Sequence, residues 1–208
     1  MKHGDFLRID FVGKVADTGQ IFDFTVAEAA KKAGLLPRPP ALVIIGAHFV
    51  LPGVEKQLLG MKNGEEKEFT IPPEEAFGPR NPRLLKILPM AAFLKEKVNP
   101  SPGAVVEIDG MQARVQSVSG GRIRVDFNHP LAGKRLHYKV KITEVIEDPR
   151  EKVAALFTAY GLKLEPAVEG GVLTVQSKEP VPHEARKFIQ EAVPKWVKEI
   201  STIRFPEK

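Results

Sequence analysis

Apolar and polar residues alternate over 6–15 (FLRIDFVGKV), the period-2 signature of a strand with one buried face. A turn at Asp17–Gln20 leads to a short second strand, Ile21–Thr25. The pattern then switches to a helix over Val26–Ala33, stopped by Gly34, and a Pro-rich loop (Pro37, Pro39, Pro40) precedes a buried strand at Leu42–Ile45. The strongest helical stripe of this half lies in Leu51–Gly60, where Val54, Leu58 and Leu59 share a face, Pro52 suits the first turn and Gly60 ends it. A strand over Glu65–Ile71 carries charges on one face, and Pro72–Phe77 reads as a short turn or helix.

The texture changes at residue 79. Leu84–Pro89 predicts a strand and residues 90–97 a short helix. Three strands follow (Ala104–Ile108, Met111–Val118, Arg122–Phe127), joined by tight turns at Asp109-Gly110 and Gly120-Gly121. Leu136–Ile146 then predicts a long alternating strand whose texture returns to that of the first half. The pattern is that of one domain interrupted by another. Beyond Asp148-Pro149 come an amphipathic helix over Arg150–Tyr160, a hairpin made of Leu162–Leu164 and Gly171–Gln176, a helix over Pro182–Val193 that Pro194 interrupts, and a last strand at Ser201–Phe205. The fold class expected is α+β. The expected units are residues 1–83 with 128–147, an inserted mostly-β unit at 84–127, and a small α+β unit at 148–208.

Composition narrows the chemistry. The 208 residues contain no Cys, which excludes disulfides, thiol nucleophiles, iron–sulfur clusters and Cys-based zinc sites. The five His sit at no H-x-H or i, i+4 spacing, so neither a metal nor another cofactor is expected. The net charge of +5 comes from interspersed charges without a Lys/Arg run of five, which argues against a dedicated nucleic-acid surface. Alternating basic residues (Arg114, Arg122, Arg124) are explained by a solvated strand face. No apolar run of about 18 residues suggests a membrane span. The start, MKHGDFLRID, lacks an apolar signal core, so the cytoplasm is the expected location.

No nucleophile elbow, phosphate loop, zinc-protease helix or dinucleotide glycine pattern is present. What remains is an apolar constellation beside turns. Its pieces are IFD (21–23), HFVLPGVEKQLLGM (48–61), IPPEEAFG (71–78) and NHPLAGKRLHYKV (128–140). Residue by residue, plain core explains most of it. As a set, GQIFD, LPGVEKQLLGMKNGE, IPPEEAFG and HYKVKITEVIE resemble the FKBP family of peptidyl-prolyl cis-trans isomerases over about residues 4–147. The segment between AFG and NHPLAG resembles the SlyD-type "insert-in-flap" arrangement, and the tail resembles the extra C-terminal domain of long archaeal members.

The resemblance implies an FKBP-like antiparallel sheet wrapped on a short helix, interrupted by the insert and followed by the C-terminal unit. It also implies rotamase activity without a cofactor, chaperone action in protein folding, and unfolded proteins or proline-containing peptides as partners. Nucleic acid and membrane are not expected. The His/Cys-rich metal-binding tail of bacterial SlyD is absent from this sequence, so no metal is carried over.

By the same resemblance, Asp23 matches the family's pocket acid and Phe22 precedes it. Val50 and Leu51 match the pair that brings a backbone N–H and an aliphatic wall to the ligand. Tyr138 stands where the family has Phe, and Leu131 falls at a pocket-lining position. Three departures stand out. Phe11 replaces a frequent Tyr, Val54 replaces the Trp that floors the pocket in eukaryotic members, and Phe77 replaces the Tyr of A-Y-G. The last removes a hydroxyl worth about 0.5–1.5 kcal/mol. The catalytic positions expected are therefore Asp23, Phe77 and Tyr138, with Phe11, Phe22, Val50, Leu51, Val54 and Leu131 contacting substrate. In the insert, Met90, Phe93, Leu94 and Met111 are candidates for client binding, alongside Val106 and Ile108. Either these residues form the insert's own core, or they are exposed together as a soft surface for unfolded chains. A holdase or peptide-binding module with a nearly silent pocket is the alternative function. The apolar helix face with Phe157 and Tyr160, together with Trp196 and Phe205, is expected to pack internally, dock on the FKBP-like unit or form a homodimer.

Overall fold

The computed structural model describes residues 1–95, 99–177 and 179–205. Its first sheet is built on β1 (Phe6–Val15). One edge of β1 is shared by β2 (Ile21–Phe24) and β3 (Ala41–Ile44), and the other pairs along its whole length with β9 (Leu136–Ile146), all antiparallel. β4 (Glu66–Ile71) pairs on the far side of β9. Helix α1 (Ala27–Ala33) lies between β2 and β3, and α2 (Pro52–Leu59) between β3 and β4.

The alternation in β9 decides what α2 packs against. Leu136, Tyr138, Val140 and Ile142 point to one face, where they meet Leu7, Ile9, Val43 and Ile45 from the neighbouring strands and Val54, Leu58 and Met61 from α2 and its end. At the opposite end of the sheet the other face is buried too. Phe6 is flanked by its register partners Ile44 and Ile146, and all three pack into a cluster with Val153, Leu156, Phe157, Val193 and Trp196 of the C-terminal region. The sheet is thus covered by α2 on one face and by the C-terminal unit on the other.

A second, four-stranded sheet has the order β5-β8-β7-β6, from β5 (Leu85–Pro89), β6 (Val105–Ile108), β7 (Met111–Ser119) and β8 (Arg122–Asp126). Asp109 and Gly110 both have positive φ, 52° and 74°, as a two-residue hairpin between Ile108 and Met111 requires. Helix α3 (Met90–Lys95) covers this sheet through Phe93. Residues 96 and 97 of the helix predicted over 90–97 lie outside the described residues.

The C-terminal unit contains α4 (Pro149–Ala159), β10 (Glu165–Glu169), β11 (Val172–Gln176), α5 (His183–Trp196) and β12 (Thr202–Arg204). Two expectations are corrected here. The first hairpin strand is Glu165–Glu169 rather than Leu162–Leu164, because β10 is an edge strand that accommodates Pro166. Pro194 does not end α5, which continues to Trp196. In the last turn its missing N–H removes one bond, and the Val197 N–H still closes onto the Val193 carbonyl at 2.7 Å. The face carrying Phe157 is covered within the chain: Phe157 is buried, Phe49 meets Tyr160 edge-on at 6.2 Å between ring centres, and His3 stacks on Trp196 at 5.6 Å. No described helix is long and apolar enough to cross a membrane.

Candidate functional site

A cavity of about 1050 Å³ opens on the first sheet, at the N-terminus of α2. All nine positions expected there line it: Phe11, Phe22, Asp23, Val50, Leu51, Val54, Phe77, Leu131 and Tyr138. They come from six places in the chain. β1 supplies Phe11, β2 supplies Phe22 and Asp23, and the segment entering α2 supplies Val50, Leu51 and Val54. The turn after β4 supplies Phe77, the loop before β9 supplies Leu131, and β9 itself supplies Tyr138. Leu51 is the N-cap of α2, its carbonyl accepting from the Val54 and Glu55 N–H groups at 2.9 and 3.0 Å. The cap aims the first-turn amides, which lack helical partners, toward the cavity end of the helix.

Tyr138 is the centre of an aromatic cluster. Its ring is met edge-on by Phe22 at 5.8 Å, lies parallel to Phe69 at 6.2 Å and tilts against Phe11 at 6.1 Å. Burial, and secondarily the Asp23 carboxylate, push its phenol well above the ordinary value of 10.0, so it stays a neutral hydroxyl. Gly13 makes the cluster possible. It sits between Asp23 and Tyr138 in the register of β1, and a Cβ built on it would lie 2.7 Å from Phe22 Cζ and 3.1 Å from Tyr138 Cε1. The missing side chain is the space in which the two rings meet.

Several lining residues are invisible to pattern reading. Arg38, from the Pro-rich loop, forms an ion pair with Asp23 and donates through Nε to the Phe24 carbonyl at 3.0 Å. The loop thereby holds Pro39 and Pro40 at the cavity rim. The only signal in the sequence was a lone cation between prolines. His129 stacks on Phe77 at 4.1 Å and 6°, and its Nδ1 lies 3.1 Å from the Leu131 N–H, as an acceptor. His48, on the rim, takes the left-handed conformation at φ 57°, uncommon for a residue with a side chain. Phe49 touches both the α2 core and the C-terminal cluster.

The four insert positions do not act as one surface. Phe93, at 3% exposure, is corrected to a core residue of the insert, packed with Val106, Val115, Ile123 and Val125. α3 turns Phe93 toward the sheet, and Leu94, one residue on, faces away from it. Met90 packs at the edge of the same core. Leu94 and Met111 are exposed, as are Ile87 and Val105, which pattern reading did not single out as client-binding.

A family model described as "FKBP26, IF domain" matches residues 86–131. The chain is 32% identical over 149 residues to the short-type peptidyl-prolyl cis-trans isomerase of Methanocaldococcus jannaschii, a match spanning 70% of this chain and 94% of that protein. It is 33% identical over 133 residues to the FKBP-type 16 kDa peptidyl-prolyl cis-trans isomerase of Escherichia coli, spanning 62% of this chain and 86% of that protein. It is 33% identical over 123 residues to the FKBP-type isomerase SlyD of Helicobacter pylori, spanning 58% and 66%. An apolar cavity with a single acid, assembled on an antiparallel sheet interrupted by an IF domain, and these relatives lead to one conclusion: the chain belongs to the FKBP-type peptidyl-prolyl cis-trans isomerases.

Proposed function

We propose that the isomerase acts on X–Pro bonds of unfolded or partly folded proteins, which the insert captures and presents to the cavity. Rotation about an X–Pro amide crosses a barrier of about 18–20 kcal/mol, because the planar form is held by resonance. The twisted amide has lost that resonance and is less polar than the planar one. A wall of Phe11, Phe22, Val54, Phe77 and Tyr138 removes water from the amide and so favours the twisted form. Only binding that is stronger in the twisted state accelerates the reaction, and no nucleophile or metal is needed. Asp23, Phe77 and Tyr138 are the positions assigned to contact the reacting amide. The Tyr138 hydroxyl, kept neutral, takes over as the cavity's phenol where Phe77 has none.

The division of labour follows the three proposed units: isomerase at 1–83 with 128–147, client capture at 84–127, and a C-terminal unit at 148–208 that braces the back of the sheet. The observation that carries the capture reading is the apolar side chains left exposed on the insert, Ile87, Leu94, Val105 and Met111. Holding a client beside the cavity raises its local concentration and offsets weak binding in the pocket. The test is a proline-limited refolding reaction run with the full chain and with residues 84–127 replaced by a short loop. Strong acceleration that falls sharply without the insert supports the reading. Suppressed aggregation with no acceleration by either protein would make this chain a holdase.

A further inference from the structure

A second cleft of about 710 Å³ runs between the insert and the isomerase sheet, and it shares Phe22, His129 and Leu131 with the main cavity. From that shared wall it extends to Val105 on β6, one of the exposed apolar residues of the insert. The cleft is therefore the space next to the main cavity that residues flanking a bound proline would meet.

The charge of the cleft is one-sided. Its walls carry Arg80, Arg114, Lys134 and a single acid, Asp126. That acid is spent. It pairs with Arg80, accepts from the Asn128 backbone N–H at 2.9 Å and from Asn128 Nδ2 at 2.7 Å, and takes a long contact from Gln116 at 3.4 Å. Burial alone would raise its pKa, but the Asn128 bonds and Arg80 hold it below the usual carboxylate range. Arg114 is the cross-strand neighbour of Asp126, yet the carboxylate is turned away to Arg80 and Asn128. Among the described residues, neither Arg114 nor Lys134 forms an ion pair, and Arg114 Nη1 makes only a long contact to the Gly103 carbonyl at 3.4 Å. The other polar walls are Gln20, Gln112, Asn128 and His129, none of them acidic. Two cations are left to face whatever lies in the cleft.

We infer that this isomerase selects clients that carry an acidic residue beside the proline, recognised by Arg114 and Lys134. The inference rests on the capture reading above. An acidic peptide fits better than a nucleic acid, because the cleft opens into a proline-sized apolar cavity and offers two uncompensated cations rather than a basic track.

The test uses the full chain and fluorescent proline peptides of about fifteen residues that differ only in Glu or Gln on either side of the proline. The Glu peptide is expected to bind about two- to tenfold more tightly at low salt, with the ratio shrinking as salt screens the exposed pairs. In the R114Q/K134Q variant the ratio of the two affinities falls to about one. A wild-type ratio of one, or a ratio that survives in the variant, overturns the inference. If L94Q/M111Q weakens both peptides while the wild-type ratio is one, capture stands and only the acidic preference falls. If L94Q/M111Q changes nothing and long peptides bind no better than a tetrapeptide, capture fails and takes the inference with it. Displacement of the peptide by a single-stranded oligonucleotide at equal concentration would assign the cleft to a phosphate backbone and overturn it as well.

Discussion

Replacing Gly13 with Ala separates the function of this site from its stability. Gly13 is buried in β1 with an ordinary strand φ, so the backbone accepts a side chain there without strain. The new Cβ would lie 2.7 Å from Phe22 Cζ and 3.1 Å from Tyr138 Cε1, where carbon contacts normally fall at about 3.5–4.0 Å. Phe22 therefore moves by about 1 Å, and because it is the wall shared by the main cavity and the second cleft, it moves into one of these binding spaces. Overpacking of this kind costs about 1–3 kcal/mol, and the stiffer unfolded chain of Ala returns about 0.4–1 kcal/mol. The net destabilisation is then about 0–2.5 kcal/mol, which leaves the protein folded. Activity suffers more, because a misplacement of about 1 Å at a binding wall reduces turnover by up to about 100-fold. Denaturant unfolding and kcat/KM on a proline tetrapeptide, measured on the same preparation, give the two numbers. A variant with unchanged kcat/KM would show that the Phe22–Tyr138 contact over Gly13 does not shape the transition-state site.

Three further outcomes are expected. Phe77→Tyr restores a hydroxyl beside the amide and raises kcat/KM by up to about tenfold; a fall would show that the His129 stack at 4.1 Å leaves no room for it. For Tyr138, the raised phenol pKa means that above about pH 10 the unfolded chain releases this proton while the folded chain keeps it. Stability then falls by about 1.4 kcal/mol per pH unit from that residue alone, and not below that range. Between pH 9 and 11 the wild type should lose more stability than Tyr138→Phe, and parallel curves would refute the buried neutral phenol. Phe157→Ala removes a ring at 1% exposure and costs about 3–5 kcal/mol, read by the single Trp, whose residue 196 stacks on His3 in the same interface; a loss under about 1 kcal/mol would mean that the C-terminal unit does not brace the sheet.

Most elements of this fold were legible in the chain, because alternation and turn chemistry are local. The period-2 runs at 6–15 and 136–146 emerge as β1 and β9, the helical stripe at Val54 and Leu58 as α2, and Asp109-Gly110 as a hairpin turn. The pocket positions were legible through motif resemblance, and all nine converge on one cavity. The residues that were missed make contacts across long sequence distances. Arg38 reaches Asp23 from a loop, and His129 reaches Phe77 across the insert. Nothing in the spacing of either pair records that they meet.

Local pattern determined most of the strands and helices, and that a mostly-β stretch interrupts the texture shared by β1 and β9. Tertiary structure alone decided that the second face of the sheet is buried. The sequence carried a trace of this in adjacent apolar pairs, Phe6-Leu7, Ile44-Ile45 and Val145-Ile146, where a one-faced strand would alternate. Such pairs say that both faces are covered but not by what, because burial is satisfied by any apolar surface. Only the packing of Phe157 and Trp196 against Phe6, Ile44 and Ile146 identifies the C-terminal unit as the cover. The cleft between insert and sheet was likewise decided by assembly. Its charge depends on Asp126 turning to Arg80, a choice made in space between two partners 46 residues apart.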